Sequence, residues 1–188
     1  METRTIFFVG KPGCGKGTQA KLLSEATGWP IFGSGDEFRK IAKEDTAVGR
    51  KVKSEIDAGL LAPHWFAMYI YQKALFSLAE NQNVIFDGFN RKIPEAELIV
   101  DSLTWLGRPF QVLNIVISDE EAMKRLAIRG QRSDRVDDNF VPERLKEYNK
   151  YTTDAIAVFR EKHGIIEING EQTREKIAED IRAALKLA

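Results

Sequence analysis

The chain has 188 residues, with 28 basic and 28 acidic side chains, one cysteine and two histidines, a length that suits one domain with a substantial core. Zero net charge gives no global pull toward a nucleic-acid polymer or an anionic membrane. A single cysteine excludes an intrachain disulfide and, with two distant histidines, argues against structural zinc. The apolar run Ile6–Val9 is too short for a secretory signal core, and nowhere do about 18 apolar residues run together to span a bilayer. A protein of a reducing, cytoplasmic compartment is expected.

Taken in chain order, Thr5–Val9 is a β-branched and aromatic run ending at glycine, which reads as a buried strand. Lys16–Thr27 spaces Ala20, Leu23 and Thr27 as a helix does and stops at Gly28. Pro30–Phe32 reads as a short strand, and Asp36–Lys43, Ala47–Ala58 and Pro63–Glu80 as helices, the last opened by proline. Val84–Phe86 is a strand ending in Asp87, and Pro94–Leu106 a helix with Ala96, Ile99 and Leu103 on one face. Val112–Ile117 is a nearly continuous apolar strand; Ser118 and Glu121 then form a capping-box pattern. Val141, Leu145, Tyr148, Thr152, Ile156 and Phe159 step along one long helix, followed by a strand at Ile165–Ile168 and a helix over Thr173–Leu187. Five apolar strands alternating with helices predict an α/β three-layer fold, an open parallel sheet covered on both faces. Two connections are long: about 50 residues between the second and third strands, and the polar stretch Gly130–Asn139. Long connections in compact domains are often binding loops or lids.

The strongest chemical signal is Gly10-Lys11-Pro12-Gly13-Cys14-Gly15-Lys16-Gly17-Thr18, directly after a strand and before a helix. Glycines let successive N–H groups turn onto a phosphate, and the helix N-terminus adds its unsatisfied donors. Lys16 is placed to bridge two phosphates. Because Gly17 follows it, the hydroxyl facing Mg²⁺ is that of Thr18. Asp87, closing an apolar strand, is where such enzymes hold Mg²⁺, usually through water. Cys14 reads as a small loop residue turned away from the phosphates, His64 as a loop residue and His163 as a surface one.

Gly10–Gln19, Gly33-Ser34-Gly35-Asp36 with Arg39, Asp57-Ala58-Gly59-Leu60, Asp87-Gly88-Phe89-Asn90-Arg91, Arg125-Leu126 with Arg129-Gly130, Arg135-Val136-Asp137-Asp138-Asn139 and Arg144-Leu145 with Tyr148 occur along nearly the whole chain. In order and spacing they resemble the adenylate kinases, within the nucleoside monophosphate kinases, and the short Gly130–Asn139 stretch resembles the short-lid form without a zinc insert. The resemblance implies a phosphate-binding-loop fold with a core of residues 1–29, 63–129 and 142–188, an acceptor-binding segment at 30–62 and a lid at 130–141. It implies transfer of the γ-phosphate of MgATP to AMP by a monomer. Gly13, Cys14, Gly15, Lys16, Gly17 and Thr18 would bind ATP with Arg125 and Arg129, and Thr18 and Asp87 would serve Mg²⁺. Arg39 and Arg91 would hold the acceptor phosphate, and Arg135 and Arg144 would bridge donor and acceptor. Ser34, Leu60, Leu61, Ala62, Gly88, Phe89, Asn90 and Glu95 would line the acceptor site. The catalytic set is then Lys16, Arg91, Arg129, Arg135 and Arg144. Arg132 reads as solvated, and Asp137 and Asp138 as lid residues paired with arginines.

The chain also departs from the pattern. Ser34 replaces a threonine and keeps its hydroxyl; Asn90 replaces a proline; His64-Trp65 replace an acidic pair; and Asp134 replaces a lid glycine. Glu95 stands where the family has glutamine. An ionised carboxylate only accepts hydrogen bonds, so it disfavours adenine N1 and suits a base edge with two donors, such as guanine. The alternatives are that Glu95 pairs with Lys92 on the first helical turn, or that the pocket is shifted by one residue. Besides adenylate kinase, two readings stay open here: a kinase of another monophosphate (GMP, UMP/CMP or dAMP), and a nucleotide-binding regulatory protein with little turnover.

Overall fold

The computed structural model describes residues 4–130 and 140–187. In chain order these form β1 (Thr5–Gly10), α1 (Lys16–Thr27), β2 (Ile31–Gly33), α2 (Ser34–Ile41), α3 (Ala47–Asp57), α4 (His64–Phe76), β3 (Val84–Asp87) and α5 (Ile93–Trp105). There follow β4 (Phe110–Val116), α6 (Asp119–Gly130), α7 (Val141–Glu147), a π-helical turn (Tyr148–Thr152), α8 (Thr153–Lys162), β5 (Ile166–Asn169) and α9 (Arg174–Ala184). The strands make one parallel sheet in the order β2-β3-β1-β4-β5, the α/β architecture expected from the alternation of strands and helices.

The sheet is buried on both faces, and its alternating side chains feed two cores. Phe7, Val9, Val84, Phe86, Phe110 and Val112 point to one face, covered by α4, α5 and α8. Ile6, Phe8, Ile85, Leu113 and Ile115 point to the other, covered by α1 and α9. The first core is aromatic. Phe86 stacks on Phe7 at 5.0 Å between centroids and meets Tyr71 edge-on at 5.2 Å. The Tyr71 hydroxyl lies 3.2 Å from Ser102 Oγ, so its one polar atom is satisfied inside the core. The second core is aliphatic.

Several local expectations shift for physical reasons. The helix predicted from Val141 through Phe159 is broken by the π turn, which adds a residue and brings Ala155 as well as Ile156 to the core. Half of the predicted capping box forms: Glu121 N donates to Ser118 Oγ at 3.2 Å. The Glu121 carboxylate is drawn instead to Arg125 at 2.6 Å, an i,i+4 pair on the same helix face. His64 opens α4 rather than lying in a loop, and that helix ends at Phe76 rather than near Glu80. The long second connection carries α2, α3 and α4, with α3 capped by Thr46 accepting from Gly49 N at 2.9 Å.

β1 lies in the centre of the sheet. The chain leaves it toward β2 and β3 on one side and β4 and β5 on the other. The crevice beyond the carboxyl end of a strand at such a switch point is where open α/β sheets bind ligands. The glycine-rich loop follows β1, and Asp87 ends β3, paired in register with Phe8.

Candidate active site

The loop between β1 and α1 closes on itself. Cys14 N donates to Lys11 O at 3.1 Å, and Lys16 Nζ donates to Gly10 O at 2.6 Å and Lys11 O at 3.0 Å. The lysine ammonium is therefore held over the loop by main-chain atoms within six residues of it. Gly13 has φ 84°, and a Cβ there would stand 3.0 Å from Ala122 O and 3.1 Å from Leu126 Cγ. Glycine lets the loop take this left-handed turn and lie directly on α6. Cys14 is fully buried with its sulfur 3.5 Å from Lys16 Nζ, packed beneath the loop.

Gly17, in the first turn of α1, has Asp87 close by, since a Cβ at Gly17 would be 3.3 Å from Asp87 Oδ2. A carboxylate and the Thr18 hydroxyl beside a phosphate-binding turn are hard oxygen donors. They fit Mg²⁺, which takes one or two protein oxygens plus phosphate and water rather than a full protein cage. The site needs no larger acidic cluster, and no group of three or more His, Cys, Asp or Glu that could hold a metal ion occurs among the described residues.

α6 presents Arg125 and Arg129 to a cleft of about 310 Å³ that also touches Gly13, Gly15 and Thr18. Arg125 is held on both sides, donating from Nε to Glu121 Oε1 at 2.6 Å and from Nη2 to Gly170 O at 2.9 Å. Lys11 pairs with Asp119 at 2.6 Å, a second tie between the loop and α6. The opposite wall comes from Gln172, Arg174 and Ile177 after β5. Sequence reasoning missed these three, because they belong to no motif and lie more than 150 residues from the glycine-rich loop. Tyr148, half-buried and near both Cys14 and Asp119, has its hydroxyl pushed up to about 12, chiefly by burial.

A second group of residues gathers at the end of β3. Gly88 O accepts from Ser34 Oγ at 2.7 Å and from Arg91 Nε at 2.6 Å, joining the start of α2 to the β3–α5 turn. Gly88 has φ 75°, and a Cβ there would stand 2.7 Å from Arg91 Nη2 and 3.0 Å from Ser34 Oγ. Arg39 pairs with Asp36 at 2.5 Å on α2. Ala62 O accepts from Lys92 Nζ at 3.0 Å, Leu60 is exposed, and Leu61 N donates to Glu147 Oε2 at 3.4 Å. Arg144 lies against Gly59, its Cγ 3.3 Å from where a Cβ would be. Arg135, with Arg132, Asp134, Asp137 and Asp138, lies outside the described residues.

Three residues in and just after this turn behave differently from what the sequence suggests. The Phe89 ring is buried and meets Phe86 edge-on at 5.7 Å, so this side chain packs into the aromatic core. Asn90 is buried with φ 66°, and both polar atoms of its side chain lack a partner among the described residues. Glu95 is 2% exposed, and its Oε2 accepts from Arg91 N at 2.6 Å. Lys92, the alternative partner considered for Glu95, places its ammonium on Ala62 O and over the Tyr151 ring at 5.2 Å. Burial pushes the Glu95 carboxyl above the usual carboxylate range, and the Arg91 N–H and the Arg91 and Lys92 charges only partly offset this.

No helix among the described residues is long and apolar enough to cross a membrane. The adenylate kinase family pattern matches residues 8–164. The chain is 37% identical over 183 residues to an adenylate kinase of Bacteroides fragilis, covering 96% of this chain and 97% of that protein. It is 36% identical over 184 residues to one from Phocaeicola vulgatus, with the same coverage. To adenylate kinase 1 of a Nostoc species it is 31% identical over 181 residues, again covering 96% and 97%.

Proposed function

The chain belongs to the adenylate kinase family, and on that premise we propose how its residues divide the work of moving the γ-phosphate of ATP to AMP, giving two ADP. The enzyme is an ATP-dependent nucleoside monophosphate kinase. One observation carries the assignment of roles. The lysine-bearing loop ends β1 and the arginine-bearing turn ends β3, and these are hydrogen-bonded neighbours in the sheet, about 4.8 Å apart. Two phosphate sites thus sit side by side at the carboxyl ends of two inner strands.

The chemistry asks for little else. The attacking atom is an oxygen of a monophosphate already ionised near neutral pH, so no general base is needed. Neither histidine is required, in keeping with His163 stacked on Phe110 at 3.6 Å, away from the loop. What must be overcome is repulsion between two polyanions and misalignment of the reacting atoms. In our reading the main chain from Gly13 to Thr18 and the Lys16 ammonium hold the donor phosphates. Arg125 braces α6 against the loop after β5, and Arg129 supplies charge to the donor. Arg39 and Arg91 take the acceptor phosphate, with Ser34, Leu60, Leu61, Ala62 and Gly88 around the nucleoside. Arg144 and Arg135 bring positive charge between the two substrates. Asp87 and Thr18 would hold, on the protein side, the Mg²⁺ that accompanies ATP, which would supply neutralisation of phosphate charge. The segment of residues 30–62 and the lid of residues 130–141 act as the closing parts over a core of 1–29, 63–129 and 142–188, excluding water from the transferring group. A monomer suffices, since every role falls within one chain.

The test is product analysis with MgATP and AMP, GMP, CMP, UMP or dAMP in parallel. ADP formation with AMP far ahead of the other acceptors is the expected result. Faster turnover of GMP or a pyrimidine nucleotide would overturn the base assignment, and no diphosphate from any acceptor would overturn the kinase reading.

A further inference from the structure

Among the described residues Glu95 is the only buried aspartate or glutamate. A carboxylate shielded from water is costly unless something holds it, and here the holder is the acceptor turn itself. Glu95 lies in the first turn of α5, where the helix end favours an anion. Its Oε2 accepts the main-chain N–H of Arg91 at 2.6 Å. Arg91 in turn donates from Nε to Gly88 O, the same oxygen that receives Ser34 Oγ from the acceptor segment. Asn90, immediately before Arg91, sits at φ 66° and its side-chain amide has no partner among the described residues. That side chain therefore does not fix the turn; the bond from Arg91 N to Glu95 does.

We propose that Glu95 is a positioning residue for acceptor capture: its ionised carboxylate, gripping the Arg91 main chain from inside the core, sets where the Arg91 guanidinium meets the acceptor phosphate. The proposal rests on the assignment of Arg91 to the acceptor phosphate. It replaces base reading by Glu95, since the carboxylate is engaged with backbone and shut away from solvent. The charged groups that face it are Arg91 and Lys92 on its own turn. The helices packed on α5 bring Tyr71, bonded to Ser102, and Lys162, beside Glu97, and neither contributes to its shift. Because burial raises the carboxyl above its usual range, the grip fails on acidification earlier than it would for an exposed glutamate.

Glu95→Gln tests this with nearly the same shape, since the amide oxygen still accepts from Arg91 N but without charge. Charged hydrogen bonds are stronger than neutral ones. The variant should raise KM for AMP about fivefold near pH 8, leaving KM for ATP and kcat close to wild type. The wild-type to variant ratio of kcat/KM for AMP should fall toward one as pH drops, with titration of the substrate phosphate cancelling in the ratio. Stability should move the other way. A folded pKa above the unfolded one means that stability falls as pH rises between them. Glu95→Gln should therefore melt at or above the wild-type temperature at pH 8, with the gap closing in acid. A simple helix cap would instead lower the melting temperature and leave the pH dependence of the ratio flat. A flat ratio, an unchanged KM for AMP, an equal change in KM for ATP, or a switch toward GMP would each overturn the proposal. Arg91→Lys, measured alongside, separates the causes. If it leaves KM for AMP untouched, the assignment of Arg91 is what failed.

Discussion

The glycine-rich loop and the β3–α5 turn, the donor loop and acceptor turn of the proposed function, are built by different means. The donor loop holds its lysine with carbonyls five and six residues away, and its geometry comes from glycines and a helix start that are all local. The acceptor turn is assembled from a distance. Ser34 reaches Gly88 across 54 residues, Lys92 reaches Ala62 across 30, and a buried glutamate holds the main chain. A locally closed loop tolerates changes elsewhere in the molecule. A turn tied to a separate segment inherits the position of that segment, so on the roles proposed above a shift of residues 30–62 would carry the acceptor site with it.

Variants on the two sides should separate accordingly, beginning with the most damaging. Lys16→Met removes the ammonium over the donor loop and should lower kcat by about 1,000-fold or more, with a melting temperature near wild type. A steady-state ADP assay beside a thermal melt reads both, and appreciable activity would remove the loop from the mechanism. Gly88→Ala places a methyl 2.7 Å from Arg91 Nη2 at a residue with φ 75°, costing about 1–2 kcal/mol in strain. KM for AMP should rise about tenfold while KM for ATP holds, and equal changes in both would contradict the division into two sides.

Ser34→Ala deletes a buried bond to Gly88 O and should cost about 1 kcal/mol. Chemical denaturation measures that loss, and kinetics should show it as a severalfold weaker acceptor rather than donor. The smallest effect is expected for Lys11→Ala. Its pair with Asp119 is partly exposed, 23% and 55% by side chain, so solvent screening holds its worth to about 0.5 kcal/mol or less. Less than a twofold change in KM for ATP, vanishing in high salt, is the expected outcome. A tenfold change would mean that Lys11 touches the donor directly.

The same contrast governs how much could be read without a structure. The glycine-rich loop, Asp87 at a strand end and the spaced arginines of α6 are legible because each depends on residues close in sequence and on one period of a helix or strand. The inner strands β1, β3 and β4 were legible for a similar reason, their apolar runs being largely buried on both faces. Phe89 looked like a site residue because it sits inside a motif, yet its ring belongs to the aromatic core. Gln172, Arg174 and Ile177 had no motif to mark them and reach the cleft only because β5 lies beside β4. The Val141–Phe159 periodicity could not reveal a π turn, since one inserted residue leaves apolar side chains at acceptable intervals on both sides of it.

By itself the sequence determined the class of chemistry. A phosphate cradle is a property of backbone N–H groups freed by nearby glycines, and a lysine six residues from the strand end cannot help but lie over it. It determined the layered α/β architecture too, because apolar runs of strand length separated by amphipathic helices have few other ways to bury themselves. Only the tertiary structure decided what Glu95 does. Its identity allowed a contact with a base, a pair with Lys92, or a pocket shifted by one residue. The choice among these rests on burial and on which N–H faces it, and both depend on how α5 packs into the core beneath the acceptor turn.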